Sequence, residues 1–198
     1  MTDLHTAARE TRRAPTQRPG RIVGRWLVSF AGYPLGGYAA YLLTGRVDGP
    51  GPAVAGGFLT GVVLGAIQTW AMGQARPRPT AWILATAVGL MCGVAAGAAL
   101  VDYQTDLTSL VAQGAVTGAL VGIAQAIVVV RRLGVLAFAW PIYLSGTCAA
   151  GWAVTTAAGI DVDQQFTIFG SSGALVATLL TAVLPLVLSS RRYRAGEL

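Results

Sequence analysis

"GFLTGVVLGAIQ" (residues 57–68) returns 57 positions later as "GAVTGALVGIAQ" (residues 114–125). Five of the twelve positions are identical, and these are Gly, Thr, Gly, Gly and Gln. On a helix, the steps of four, four and three residues that join Gly57, Gly61, Gly65 and Gln68 run along one face. Gly114, Gly118, Gly122 and Gln125 make the same stripe. Apart from the threonine, everything between is apolar. A helix that is apolar all round and carries a seam of small residues reads as a membrane span packed closely on a neighbour.

Composition extends that reading to the whole chain. Hydrophobic residues make up 54% and charged residues 11% of the 198 positions, with a mean hydropathy of +0.61. Soluble domains carry about 25% charge, so the expected class is an integral membrane protein. The net charge is +6 and every basic residue is Arg. A basic balance can mark nucleic-acid binding, but these arginines cluster in the tails and two short loops. That arrangement fits the positive-inside rule, and no nucleic-acid partner is expected. Cys92 and Cys148 lie in apolar runs without metal-type spacing, so they read as small buried residues with no disulfide.

Spanning helices need about 20 mostly apolar residues. Six segments qualify: 26–44, 53–73, 80–101, 107–130, 135–159 and 166–189. Residues 1–25 read as a basic, disordered tail without the apolar stretch of a secretory signal, and 190–198 as a second tail. Arg76, Arg78, Arg131, Arg132 and both tails fall on one side. Asp48, Asp102, Asp106, Asp161 and Asp163 fall on the other, with Arg46 the one basic residue there. The rule then places both termini in the cytoplasm and the protein in a plasma (inner) membrane as a multi-pass chain.

On that topology the opening stretches occupy spans 2 and 4 at matching depth. Trp26, Trp82 and Trp140 each open an odd span, with Gly32, Gly89 and Gly146 six or seven residues later. The expected fold is therefore all-α, with six transmembrane helices arranged as three repeated hairpins over 26–73, 80–130 and 135–189. The third hairpin diverges: Gly170, Ala174, Thr178 and Thr181 stand where the others have three Gly and Gln.

The glycine stripes read as packing surfaces, against the alternative of a ligand groove lined by backbone. The two glutamines lie roughly 9–12 Å inside the arginine-rich boundary, at 1.5 Å per residue. An amide in hydrocarbon needs a partner. Either Gln68, Gln125 and Thr181 hold helices together, or they line a cavity or substrate path. Trp26, Trp70, Trp82 and Trp140 near span ends are expected to form an interfacial belt. Tyr33, Tyr38, Tyr41 and Trp152 lie deeper and are expected to pack. Pro34 and Pro141 would free carbonyls one turn earlier, either as plain kinks or as the broken helices of a transport site. The aspartate pairs 102/106 and 161/163 read as solvated rather than cation-binding.

The combination "GALVGIAQ", arginines, and Trp opening the next glycine-rich span resembles a loose group of uncharacterised bacterial multi-pass proteins with GxxxGxxQ hairpin repeats. The resemblance covers spans 2–3 and 4–5, span 6 departs from it, and it implies no activity. In size and layout the chain also resembles the substrate-binding components of energy-coupling-factor vitamin importers, though no motif carries over.

Catalytic chemistry has no foothold. "GSSG" at 170–173 offers serines, but His5, the sole histidine, lies in the polar tail and cannot serve as base. No lysine exists for a phosphate-binding loop, and no ionisable residue falls deep in a span, as proton relays require. An enzyme, a metal site or a cofactor is not expected. Two roles remain: a small-molecule transporter or its membrane-embedded substrate-binding subunit, and an accessory or assembly subunit of a larger membrane complex. Expected partners are the lipid bilayer and other membrane subunits or a second copy.

Overall fold

The computed structural model describes residues 19–160 and 171–194. All regular structure among them is helical: α1 (Pro19–Val28), α2 (Gly32–Thr44), α3 (Pro50–Met72), α4 (Pro79–Leu100), α5 (Leu107–Leu133), α6 (Ala139–Ala157), α7 (Ser171–Thr181) and α8 (Val183–Arg194). Four continuous stretches are long and apolar enough to cross a bilayer: Pro50–Ala75, Pro79–Leu100, Leu107–Ala157 and Ser172–Arg191. The third contains both α5 and α6. Gly114 lies against Cys148, Gly118 against Leu144 and Gly122 against Pro141, so the two helices run antiparallel.

Large apolar side chains such as Leu43, Ile127 and Ile142 face outward, while Thr86, Thr117, Gln125 and Thr155 are buried. Such a distribution would be costly in water and suits lipid, where outward Leu and Ile are solvated by acyl chains and polar groups must find partners inside.

Successive helices from α2 to α7 each pack on the next, and α7 and α8 return to touch α1 and α2. Glycine makes these approaches possible. A Cβ on Gly57 would stand 2.7 Å from the Leu90 carbonyl oxygen, and one on Gly65 would stand 3.0 Å from Ile83 Cα. Gly61 sits against Thr86 and Ala87 of the same helix. Gly114, Gly118 and Gly122 meet α6 in the same way, with the Gly122 position 2.5 Å from Pro141 Cα. Within the pairs α2–α3 and α4–α5 the glycines come from the other partner: Gly36 faces Thr60, and Gly93 faces Thr117. Gly151 and Gly173 meet between α6 and α7.

Several boundaries differ from those expected. Helix begins at Pro19, inside the segment read as a disordered tail, and Arg21 and Arg25 belong to α1. The first span is interrupted by a 3-10 turn over Ser29–Ala31. Pro34 accounts for the break, because it has no N–H to return to the Phe30 carbonyl. Pro141 stands in the same place, third in α6 and directly behind a 3-10 turn over Gly134–Phe138, and it likewise has no N–H to return to the carbonyl one turn earlier, that of Ala137. The break at Ala182 between α7 and α8 traces to Pro185, which sequence reading passed over. The expected start of span 6, together with Asp161, Asp163 and Gly170, lies outside the described residues, as does His5.

Two left-handed glycines close helices at the arginine end. Gly73 (φ 56°) ends α3 and Gly134 (φ 57°) ends α5. A side chain with a Cβ is strained in that conformation. At the other end α5 is capped by Asp106, whose carboxylate accepts from Thr108 N at 2.9 Å and Ser109 N at 3.2 Å.

Candidate functional site

Three tryptophans expected at the membrane surface point into the bundle instead. Trp26, Trp82 and Trp140 are 1%, 0% and 7% exposed, whereas Trp70 is 54% exposed. Only Trp70 fits the interfacial belt. An indole buried among helices needs an acceptor for its N–H, and each of the three finds one on an adjacent span.

Trp82 Nε1 donates to Gln68 Oε1 at 3.1 Å, from α4 to α3. Trp140 Nε1 donates to Gln125 Oε1 at 2.9 Å, from α6 to α5. Trp26 Nε1 closes the ring from α1 to α7, shared between Thr181 Oγ1 at 3.2 Å and the Thr178 carbonyl at 3.1 Å. Thr181 can accept because its own proton is given to the Ala177 carbonyl at 2.7 Å.

Gln125 is engaged at both ends. Its Nε2 donates to Thr86 Oγ1 at 3.0 Å, and Thr86 in turn donates to the Trp82 carbonyl at 2.9 Å. The bonds thus link α6, α5 and α4 in one chain, and Trp82 carries it on to α3. Thr86 was not singled out from the sequence. Threonines are common in these spans, and its partner lies 39 positions away. Gln68 differs from Gln125. Its Oε1 is held by Trp82, but its Nε2 has no hydrogen-bond partner among the described residues.

The three polar positions named from the sequence, Gln68, Gln125 and Thr181, line a single internal cavity. Tyr33, Thr117 and Cys148 also line it, and helices α1 to α7 all contribute, which places it on the axis of the ring. Its volume is about 30 Å³. A water molecule needs roughly 10–15 Å³ on the same measure, so the space suits one or two waters. Ligand pockets for drug-sized molecules are roughly 300–1,000 Å³. What this arrangement can do is donate one amide hydrogen bond from Gln68 to a very small acceptor.

The six stripe glycines stay outside this cavity, on helix contacts. Of the deeper aromatics, Tyr33 lines the cavity and Trp152 is buried, while Tyr38 and Tyr41 are 48% and 39% exposed on the outer surface. The cysteines separate as well: Cys148 is buried, but Cys92 is exposed on the outer face, and both are free thiols. One buried hydroxyl, Thr60 Oγ1, has no partner among the described residues. It belongs to the α2–α3 contact, where Gly36 abuts it.

No family model, curated protein or solved structure matches the chain.

Proposed function

We propose that the protein is a six-span, three-hairpin subunit of an inner-membrane assembly, with both termini in the cytoplasm and a packing role rather than transport or catalysis. The observation that carries this reading is the cavity. On its lining Gln125, Thr181 and the Gln68 oxygen are engaged in holding helices together, and its volume of about 30 Å³ is an order of magnitude below that of a metabolite pocket.

Contacts that recur in register support the hairpin repeat. Gly57 at Leu90 corresponds to Gly114 at Cys148, and Gly65 at Ile83 to Gly122 at Pro141. Gly36 at Thr60, Gly93 at Thr117 and Gly151 at Gly173 form a triplet of the same kind. The arginine asymmetry supports the orientation. The same GxxxGxxQ pattern supports kinship with the bacterial multi-pass proteins it resembles.

Native mass spectrometry of the protein extracted in mild detergent tests the role. A subunit emerges at a fixed mass above the 20.4 kDa chain, with a defined stoichiometry of partner or second copy. A lone chain that retains an organic solute of several hundred daltons would overturn it. A carrier of small solutes is the second reading, favoured by the convergence of Gln68, Gln125 and Thr181 on one cavity. The same spectra separate the two.

A further inference from the structure

At the arginine end the chain turns from α3 into α4 through "GQARPRP" (residues 73–79). Pro77 and Pro79 hold the residues before them extended: Arg76 has φ −56°, ψ 141° and Arg78 φ −56°, ψ 120°. Two guanidinium groups are thereby mounted on a stiff backbone. Two more are brought to them from other helices. Arg132 of α5 donates from Nη1 to the carbonyls of Ala75 and Arg76, both at 3.0 Å. Arg25 of α1 donates from Nη2 to the Trp70 carbonyl at 2.7 Å and lies 5.0 Å from the centre of the Trp70 ring. Gly73 leaves room for it, since a Cβ there would stand 2.9 Å from Arg25 Nη1.

Arg25, Arg76, Arg78 and Arg132 line one open groove of about 660 Å³. No carboxylate among the described residues pairs with any of them. The described carboxylates, Asp48, Asp102 and Asp106, sit in the turns at the opposite end of the helices. Helix α4, 22 residues long, opens at the groove with no side chain capping its first turn, so its positive dipole end adds to the field. Four like charges held together without a counter-charge repel one another, and an anion relieves that repulsion. Guanidinium forks match the paired oxygens of a phosphate better than those of a halide.

We infer that this groove binds a phosphate group, presented by an anionic phospholipid headgroup or by free phosphate. The site is separate from the axial cavity and does not depend on the subunit role. Arg25 and Arg132, fixed by backbone carbonyls, form its walls. Arg76 and Arg78, whose guanidinium groups bond to nothing else among the described residues, close on the ligand.

Thermal unfolding of the full chain in neutral detergent at constant ionic strength tests this, with titrations of inorganic phosphate and of phosphatidylglycerol mixed into the micelles. The expected result is saturable stabilisation by at least one probe. In Arg76→Gln/Arg78→Gln the half-saturating concentration rises about tenfold or more, the loss expected for charge-assisted bonds. Without ligand that variant melts with the wild type. The variant Arg131→Gln/Arg191→Gln removes the same charge outside the groove and leaves half-saturation unchanged. Saturation by phosphatidylglycerol alone assigns the headgroup, and saturation by inorganic phosphate assigns the free anion. No saturable response, or equal weakening in both double variants, would overturn the site.

Discussion

Trp140 Nε1 and Gln125 Oε1 stand 2.9 Å apart across the α5–α6 contact, and Gln125 passes the connection to Thr86 of α4 at 3.0 Å. One amide therefore ties three helices inside the bundle, where an unpaired polar group is costly. Trp140→Phe should cost about 1–3 kcal/mol, because the Gln125 oxygen stays buried without its donor. Trp140→Phe combined with Gln125→Leu should cost less than the sum of the two single changes, with a coupling of roughly 0.6–1.7 kcal/mol. Unfolding in mixed micelles measures all three variants. Strict additivity would show that the bond contributes nothing.

Gly61→Ala and Gly118→Ala should each destabilise by about 1–3 kcal/mol, the usual cost of overpacking. At Gly61 the new methyl meets the Thr86 carbonyl oxygen at 2.8 Å, and at Gly118 it meets the Leu144 carbonyl. Both obstacles are backbone and cannot swing aside. Gly146→Ala is the control, with nothing within 4 Å of the added carbon. It should be neutral, or stabilise by up to about 1 kcal/mol through helix propensity. Equal melting temperatures for all three variants would refute the stripe as a contact surface.

The helical class, the antiparallel α5–α6 pair and the glycine contacts were legible because small-residue spacing is a strict geometric code. A glycine every fourth residue has one face to offer, and repetition at 57 positions marks it as deliberate. The orientation of the tryptophans was not legible. Trp at the end of an apolar run looks the same whether its ring meets headgroups or turns inward. The missed signal was a pairing of depth: Gln68 with Trp82 and Gln125 with Trp140 are 14 and 15 residues apart, which sets them level on antiparallel neighbours joined by a short turn. The early start of α1 was hidden by its arginines, which read as tail until Arg25 is seen held by Trp70.

Orientation is open to direct measurement. In a background with Cys92 and Cys148 replaced by Ala, Gly49→Cys and Gln104→Cys should react with an impermeant maleimide added outside intact cells. Gln74→Cys should react only after the membrane is opened. The reverse pattern would invert the topology.

Asp106 adds a pH signature at the end of the helices away from the arginines. The Ser109 hydroxyl, and then the Ser109 and Thr108 N–H groups, hold its carboxyl below the ordinary value of 3.8. A carboxylate with a lowered folded pKa stabilises the fold above its unfolded value. That contribution is lost as pH falls through the folded one. Melting temperature followed downward from pH 5 should show this loss in the wild type, and less of it in Asp106→Asn, which keeps the cap without the titration. Identical pH profiles would remove Asp106 from the account.

The bond from Trp26 to Thr181 joins residues 155 positions apart. Every contact between successive helices from α2 to α7, by contrast, joins neighbours in the chain. A nascent chain can thus dock each helix on its predecessor as it emerges, with little loop entropy to overcome. The Trp26 indole must wait, its N–H paired elsewhere, until α7 has been made. Closure at that one seam is the late step of folding, and an interrupted or truncated chain would be left as an open arc with a tryptophan at its free edge.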